Sequence, residues 1–167
     1  MTIEVRSLRH DEAALLRDVR LRALREAPGA FATSFKEARA WPAERWDEMA
    51  REGAAGESQV AFVALDGERA VGLVFAWLRD DVPGSVWLAR LWVDPSVRRG
   101  GLGACLIDAV AGWARERGAT RLDLSVTTNN APAAALYARA GFAETGRRRP
   151  LPSDPTRTEV FLSRPLP

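Results

Sequence analysis

Arg98-Arg99-Gly100-Gly101-Leu102-Gly103-Ala104 is a stretch whose residue types suit one chemistry, the holding of a phosphate. Behind it, Leu102, Cys105, Leu106, Ala109, Val110 and Trp113 recur at the i, i+3, i+4, i+7 spacing that lines one face of an α-helix, and Gly118 ends the pattern. In front of it, residues 86–93 are rich in β-branched and aromatic types, and Asp94-Pro95 closes them with a turn signal. The glycines therefore stand at a helix N-terminus. The first backbone N–H groups there have no partner within the helix, and the macrodipole adds partial positive charge, so an anion is favoured. Glycine at 100, 101 and 103 removes Cβ atoms that would hold a diphosphate off the backbone, while Arg98 and Arg99 add full charges beside it.

Two common phosphate loops do not fit. A P-loop ends in Gly-Lys-Ser/Thr, and the one lysine of the chain is the distant Lys36. A dinucleotide fingerprint needs glycine or alanine where Gly101-Leu102-Gly103-Ala104-Cys105-Leu106 has Leu106. Other reactive residues are sparse. His10 lies just outside the start of a helix, where a polar residue caps or meets water rather than acting as a base. Cys105 belongs to the apolar helix face and reads as a small buried hydrophobe.

Composition bounds the rest. A chain of 167 residues with 47% hydrophobic and 28% charged residues suits one domain with a full core. No apolar run is long enough to span a bilayer and the N-terminus lacks a signal peptide's apolar centre, so a cytoplasmic protein without membrane contact is expected. A single cysteine excludes an internal disulfide and a cysteine-cluster metal site; no metal is expected. Net charge is +2 and the arginines are dispersed, apart from Arg147-Arg148-Arg149, so no nucleic-acid partner is expected.

The elements that position the loop follow from periodicity. Residues 2–8 alternate as a first strand. Asp11-Glu12 opens a helix, its acids in the first turn, with Ala14, Leu15, Asp18, Val19, Arg22 and Ala23 on one face and Pro28-Gly29 at its end. An aromatic connection carrying Phe31, Phe35 and Trp41 leads to a second helix over residues 42–51, then a loop over 52–58. Residues 60–65 and 70–78 flank Asp66-Gly67, a strong hairpin signal. After the helix behind the loop, Leu122, Leu124 and Val126 alternate with polar residues, so a strand returns parallel to the one before the helix. Asn130 caps a helix whose Ala133, Leu136, Tyr137 and Ala140 share a face. Two last strands fall near 142–148 and 158–163, joined by a loop stiffened by Pro150, Pro152 and Pro155.

Two motifs carry a family resemblance. Arg98-Arg99-Gly100-Gly101-Leu102-Gly103, after a strand ending Leu91-Trp92-Val93, resembles the acyl-CoA pyrophosphate loop of the GNAT superfamily of N-acyltransferases. One helix and one strand later, the segment from Asn130 through Leu136-Tyr137 to Gly141-Phe142 is similar to that superfamily's Asn-x-x-Ala-x-x-Leu-Tyr-x-x-x-Gly-Phe signature. The resemblance implies an α/β GNAT fold filling residues 1–167 as a single domain, a mixed central sheet of about seven strands flanked by about four helices in the order β-α-α-β-β-β-α-β-α-β-β. It implies acetyl-CoA as acyl donor, an amine acceptor, direct attack in a ternary complex, and a homodimer. By position, Leu91, Trp92 and Val93 would pair with the pantetheine arm, Arg98 to Ala104 would hold the diphosphate, and Asn130 would contact the arm. Tyr137 would stand near the thioester sulfur and protonate the departing thiolate, while the N–H of Leu91 would meet the carbonyl oxygen as it becomes an oxyanion.

The chain also departs from the superfamily pattern. Some relatives carry a glutamate base four positions before the residue matching Leu91; here Trp87 stands there, leaving Asp81, Glu37 and a water relay as alternatives. Position 97, often aromatic, is valine. Residues 31–41 and 149–156 would wall the acceptor pocket, where Arg90 and Arg149 would attract an acidic group. A non-catalytic acyl-CoA-binding module is the alternative reading.

Overall fold

A computed structural model describes residues 2–167. Seven strands form one sheet in the order β1-β2-β3-β4-β5-β7-β6: β1 (Ile3–Ser7), β2 (Gln59–Asp66), β3 (Arg69–Leu78), β4 (Ser85–Val93), β5 (Arg121–Thr127), β6 (Ala143–Leu151) and β7 (Asp154–Pro165). The β4/β5 pair is parallel, as the crossover rule requires, and the other pairings are antiparallel. The mixed seven-stranded sheet expected from the sequence is thus the one observed. The helices are α1 (Ala13–Glu26), α2 (Phe35–Arg39), α3 (Ala43–Ala55), α4 (Leu102–Glu116) and α5 (Ala131–Arg139). Among the described residues, no helix is long and apolar enough to cross a membrane.

Each face of the sheet buries its own core. On one, Leu106, Ile107 and Val110 of α4 and Tyr137 of α5 pack with Val74, Val86, Leu88 and Leu122. On the other, Leu16, Val19 and Leu24 of α1 and Trp46 of α3 pack with Val63, Leu73, Phe75 and Trp92. The buried side of α1 is turned from the one expected: Leu16, Val19, Arg20, Ala23 and Leu24 are buried, while Ala14 and Asp18 are exposed. Glu12 anchors that rotation. It occupies the N-cap position rather than the first turn, and its carboxylate accepts from the Arg6 guanidinium at 2.6 and 3.0 Å and from the Arg9 N–H at 2.9 Å. Residues 35–39, expected as irregular connection, form the short helix α2, capped where Ser34 Oγ accepts from the Glu37 N–H. Helix α3 runs on to Ala55 through the expected loop and ends on Gly56 in the left-handed conformation.

The proline-rich loop is corrected to a tight turn. Pro150 pairs opposite Thr158 and Leu151 opposite Asp154, so β6 and β7 run almost to their junction. Proline is tolerated in β6 because β6 is the edge strand of the sheet.

Carboxylates pin both ends of β4. Ser85 Oγ and Arg121 Nε donate to Asp123, whose carboxyl burial pushes up but which hydrogen bonds from Ser163, Ser85 and Arg121 hold below its usual range. At the far end Asp94 meets the same balance: burial raises it, and Ser96, Arg69 and Arg22 lower it further. A carboxyl depressed in the fold contributes stability that is complete above its unfolded value, roughly 4, and is lost as pH falls through the folded value. Thermal melts should therefore show a midpoint that is flat near neutrality and falls steeply below about pH 4. Asp123→Asn should lower the neutral midpoint and flatten that acid limb; an unchanged limb would place the acid sensitivity elsewhere.

Candidate active site

The β4/β5 ladder is short. Ser85, Val86 and Trp87 pair with Arg121, Leu122 and Asp123, after which the two strands continue to Val93 and Thr127 without pairing to each other. The Ser85–Asp123 bond sits at the closed end of the resulting V. A bulge helps to open it: the β3 register jumps between Leu73 and Phe75, opposite Trp92 and Ala89, so Arg90 and Leu91 together face one residue of β3. Arg90 adopts φ 58°, the left-handed region that an arginine enters only at a cost of about 1–2 kcal/mol.

A cleft of about 750 Å³ occupies the V. Leu91, Trp92 and Val93 line it from β4; Arg98, Arg99, Gly101, Leu102, Gly103 and Ala104 from the turn and first residues of α4; Asn130 and Tyr137 from α5. Residues predicted from two separate motifs thus meet in one cavity, with one exception. Gly100 is exposed and lies outside the lining. Gly101 is the N-cap of α4 at φ 82°, with open space where a Cβ would project, so its backbone conformation is what requires glycine.

Gly103 has a different reason from the one its spacing suggests. A Cβ there would meet Leu136 Cδ2 at 2.8 Å, so this glycine lets α5 pack against α4 rather than clearing room for phosphate. Alanine at a free helix position gains about 1 kcal/mol over glycine, and overpacking a tight contact costs about 1–3 kcal/mol. Because the atom met is the tip of the half-buried Leu136 side chain, Gly103→Ala should gain less stability in the wild-type protein than in a Leu136→Ala background. Denaturant melts of the four proteins check this difference, and equal gains in both backgrounds would refute the contact.

The loop charges are unequal. Arg98 donates from Nε to the Val93 carbonyl at 2.9 Å and pairs with Glu26 at 2.8 Å, so its charge is already partly neutralised. Arg99 is exposed at φ 70°. Asn130 accepts from the Ala133 N–H at 3.3 Å while facing the cleft, which combines the cap and the lining role. Tyr137 is 7% exposed, its ring edge-on to Phe142 at 5.7 Å, and burial pushes its hydroxyl above the usual range.

Two lining residues had no signal in the sequence. Thr127, at the end of β5, has a buried Oγ1 with no hydrogen-bond partner, a polar group suited to an amide-bearing arm. Glu26 is a carboxylate in the lining whose Oε2 accepts from Trp92 Nε1 at 2.9 Å and from Arg98 at 2.8 Å. Neither expected base reaches the cleft. Asp81 is exposed and pairs with Arg79 at 3.4 Å; Glu37 is exposed on α2. His10 is exposed outside it as well. Cys105, expected on the buried face of α4, is exposed instead. Of the expected acceptor walls, Phe31 lines the cleft and its carbonyl accepts from Ser153 Oγ at 2.8 Å, joining the α1–α2 connection to the β6–β7 turn. Trp41 packs on Trp46 at 5.1 Å, and Arg149 is paired with the buried Glu159.

Comparison with known proteins shows the family and the fold. The family model described as Acetyltransferase (GNAT) family matches residues 21–142. Streptothricin acetyltransferase of Streptomyces lavendulae is 45% identical over 67 residues, 37% of this chain and 35% of the relative, so the chain spans about a third of that protein's length. An acetyltransferase of the GNAT family from Streptococcus pneumoniae superposes with a TM-score of 0.85 at 21% identity, covering 99% of this chain and all of the other. The PaiA N-acetyltransferase of Thermoplasma acidophilum, solved with coenzyme A, superposes with a TM-score of 0.77 at 16% identity over 99% of each chain.

Proposed function

The chain belongs to the GNAT acetyltransferase family, and from that premise we propose that residues 1–167 act as a single-domain N-acetyltransferase moving acetyl from acetyl-CoA to a primary amine in a ternary complex. The observation that carries the reading is the gap between β4 and β5 beyond Trp87, which runs from the Ser85–Asp123 bond to the free N–H groups at the start of α4. Unpaired strand edges suit an extended amide-containing arm, and the helix start suits a diphosphate. The orphaned Thr127 hydroxyl adds a hydrogen-bonding group within the same cleft.

Acetyl-CoA supplies an acyl group already activated as a thioester. The residues of this chain supply position and charge. The backbone N–H of Leu91 donates to the carbonyl oxygen as it gains charge, and Tyr137 gives a proton to sulfur as the thiolate departs. The amine must lose a proton as well. With Asp81 and Glu37 outside the cleft, and Oε2 of Glu26 already accepting from Trp92 and Arg98, water in the cleft carries that proton away. Relatives named for acetylating streptothricin and L-2,4-diaminobutyric acid support an amine as acceptor. Family resemblance is what supports a homodimer, for which sedimentation at micromolar concentration is the measurement.

The test is acetyl-CoA consumption, followed by thiol release, across a panel of amines. Transfer to at least one primary amine is expected. Binding of acetyl-CoA with no transfer to any amine would favour the non-catalytic module, and absence of binding would remove both readings.

A further inference from the structure

A second cavity, of about 520 Å³, opens on the α3 side of the sheet and shares no lining residue with the cleft. Small-molecule sites commonly enclose roughly 300–1,000 Å³, so its size is sufficient. Helix α3 supplies one wall from Arg45, Glu48, Met49 and Glu52, whose i, i+3, i+4, i+7 spacing puts them on one face. Phe75 and Trp77 of β3 form the floor, Asp80 stands just past the end of that strand, and Arg90 reaches in from the bulge in β4. Arg90, expected to draw an acidic group into the acceptor pocket, thus faces a different space.

Five charges of both signs face this cavity, and among the described residues none of them is in an ion pair. The rest of the chain behaves differently. Even near the surface Arg22 closes on Asp18, Arg148 on Glu144 and Arg157 on Asp154. Here aromatic rings hold the cations instead: Arg45 lies over Trp41 at 3.8 Å, and Arg90 over Phe75 at 4.8 Å and Trp77 at 5.7 Å. A ring face attracts a guanidinium but leaves its in-plane N–H groups free to donate. Glu48 and Glu52 repeat one charge a single turn apart, an arrangement that weakens a helix unless a cation answers it. Burial lowers the Arg90 guanidinium, Arg45 lowers it further and Glu52 opposes them, so these groups feel one another across the cavity.

A cavity that keeps its cations and carboxylates apart suits a guest that carries both charges. We propose that this cavity binds a small zwitterion of amino-acid or dipeptide type, with its carboxylate on Arg90, its ammonium among Glu48, Glu52 and Asp80, and its apolar body against Trp77 and Met49. The guanidinium fork matches a carboxylate in a planar, charge-assisted geometry. Arg90 is partly buried at the floor while the three acids are exposed at the mouth, so the two ends of the guest are told apart. Three carboxylates against two guanidiniums disfavour a guest with negative charge alone, and the guanidinium at the floor disfavours one with positive charge alone. The site does not depend on the N-acetyltransferase reading. Arg90 and Leu91 are neighbours in sequence, but the first lines this cavity and the second lines the cleft.

The test is a titration of the ligand-free protein with leucine, ε-aminocaproate and glycyl-leucine, followed by NMR at the Trp77 indole N–H. Each zwitterion is matched with compounds that keep its body and lose one charge. Leucinamide, hexylamine and glycyl-leucinamide lack the acid; N-acetylleucine, caproate and N-acetylglycyl-leucine lack the amine. At least one zwitterion should bind about tenfold or more tightly than both of its counterparts, the difference a charge-assisted pair makes. Arg90→Gln should bring that zwitterion down to its acid-free counterpart and leave the counterpart's own affinity unchanged. Arg90→Gly, a residue at home at φ 58°, should do the same with an undiminished melting midpoint, which separates lost binding from lost fold. Glu48→Gln combined with Glu52→Gln should bring the zwitterion toward its amine-free counterpart. Saturating acetyl-CoA should not displace it. No saturable shift with any zwitterion, equal affinity for zwitterions and one-charge compounds, displacement by acetyl-CoA, or affinity that survives both Arg90 substitutions overturns the inference. Acetyl transfer to amines, or its absence, bears on the enzymatic reading alone, so the two can fail separately.

Discussion

Tyr137→Phe should lower kcat about a hundredfold or more and leave acetyl-CoA affinity within about twofold. The substitution removes one hydroxyl and keeps the ring whose edge contact with Phe142 holds the end of α5, so the fold should be preserved. What is lost is the proton that sulfur would receive as the C–S bond breaks. Burial raises the tyrosine hydroxyl above its usual range, which keeps it protonated at neutral pH but makes it a reluctant acid. The departing thiolate shares the same poorly solvated cleft, so its proton affinity rises too, and transfer is driven late, when charge has built on sulfur. The loss should therefore appear in kcat and kcat/KM together, the pattern of an interaction made in the transition state alone. Calorimetric titration with acetyl-CoA provides the binding half of the measurement. Equal losses in affinity and turnover, or none in either, would remove Tyr137 as the acid.

How much of this site could be read from the residue string depended on whether the signal was local. The loop was legible because glycines at 101 and 103 abut a clean helical period, and the structure places both at the start of α4 in the cleft. The reason for Gly103 was not legible, since its neighbour Leu136 is 33 positions away and comes close only once α5 has packed. Cys105 shows the limit of periodicity in an alanine-rich helix. Two adjoining rows of small or apolar residues both fit an inward face, and packing chose the one containing Gly103, Ile107, Ala111 and Ala114, which turns Cys105 outward. Arg20 was hidden for the opposite reason. An arginine among Arg17, Arg22 and Arg25 on an amphipathic helix reads as surface, and only the tertiary fold turns this one inward. The parting of β4 from β5 is a property of register. Residues 88–93 and 124–127 have ordinary strand composition, so no pattern in the residue string marks the gap.

The glycine turn makes the other large prediction, and a matched pair of substitutions separates its two physical contributions. Gly101 sits at φ 82°, a conformation asparagine and aspartate tolerate better than other side chains, and nothing lies within 4 Å of the Cβ position. Gly101→Asn should therefore cost acetyl-CoA binding only a few-fold, through backbone strain and added bulk. Gly101→Asp has nearly the same shape and adds a negative charge beside the proposed diphosphate. At about 5 Å and an effective dielectric near 20, one pair of unit charges repels by about 3 kcal/mol, which salt and solvent at this exposed turn reduce to about 2–3 kcal/mol for the whole diphosphate. The aspartate variant should thus bind acetyl-CoA about a hundredfold more weakly than the asparagine one, with the difference shrinking as salt is raised. Acetyl-pantetheine, which lacks the diphosphate, should not distinguish the two variants. If it loses affinity in step with acetyl-CoA, or if asparagine and aspartate bind acetyl-CoA equally, residues 98–104 do not hold the phosphates, and the unpaired N–H groups of α4 have some other use.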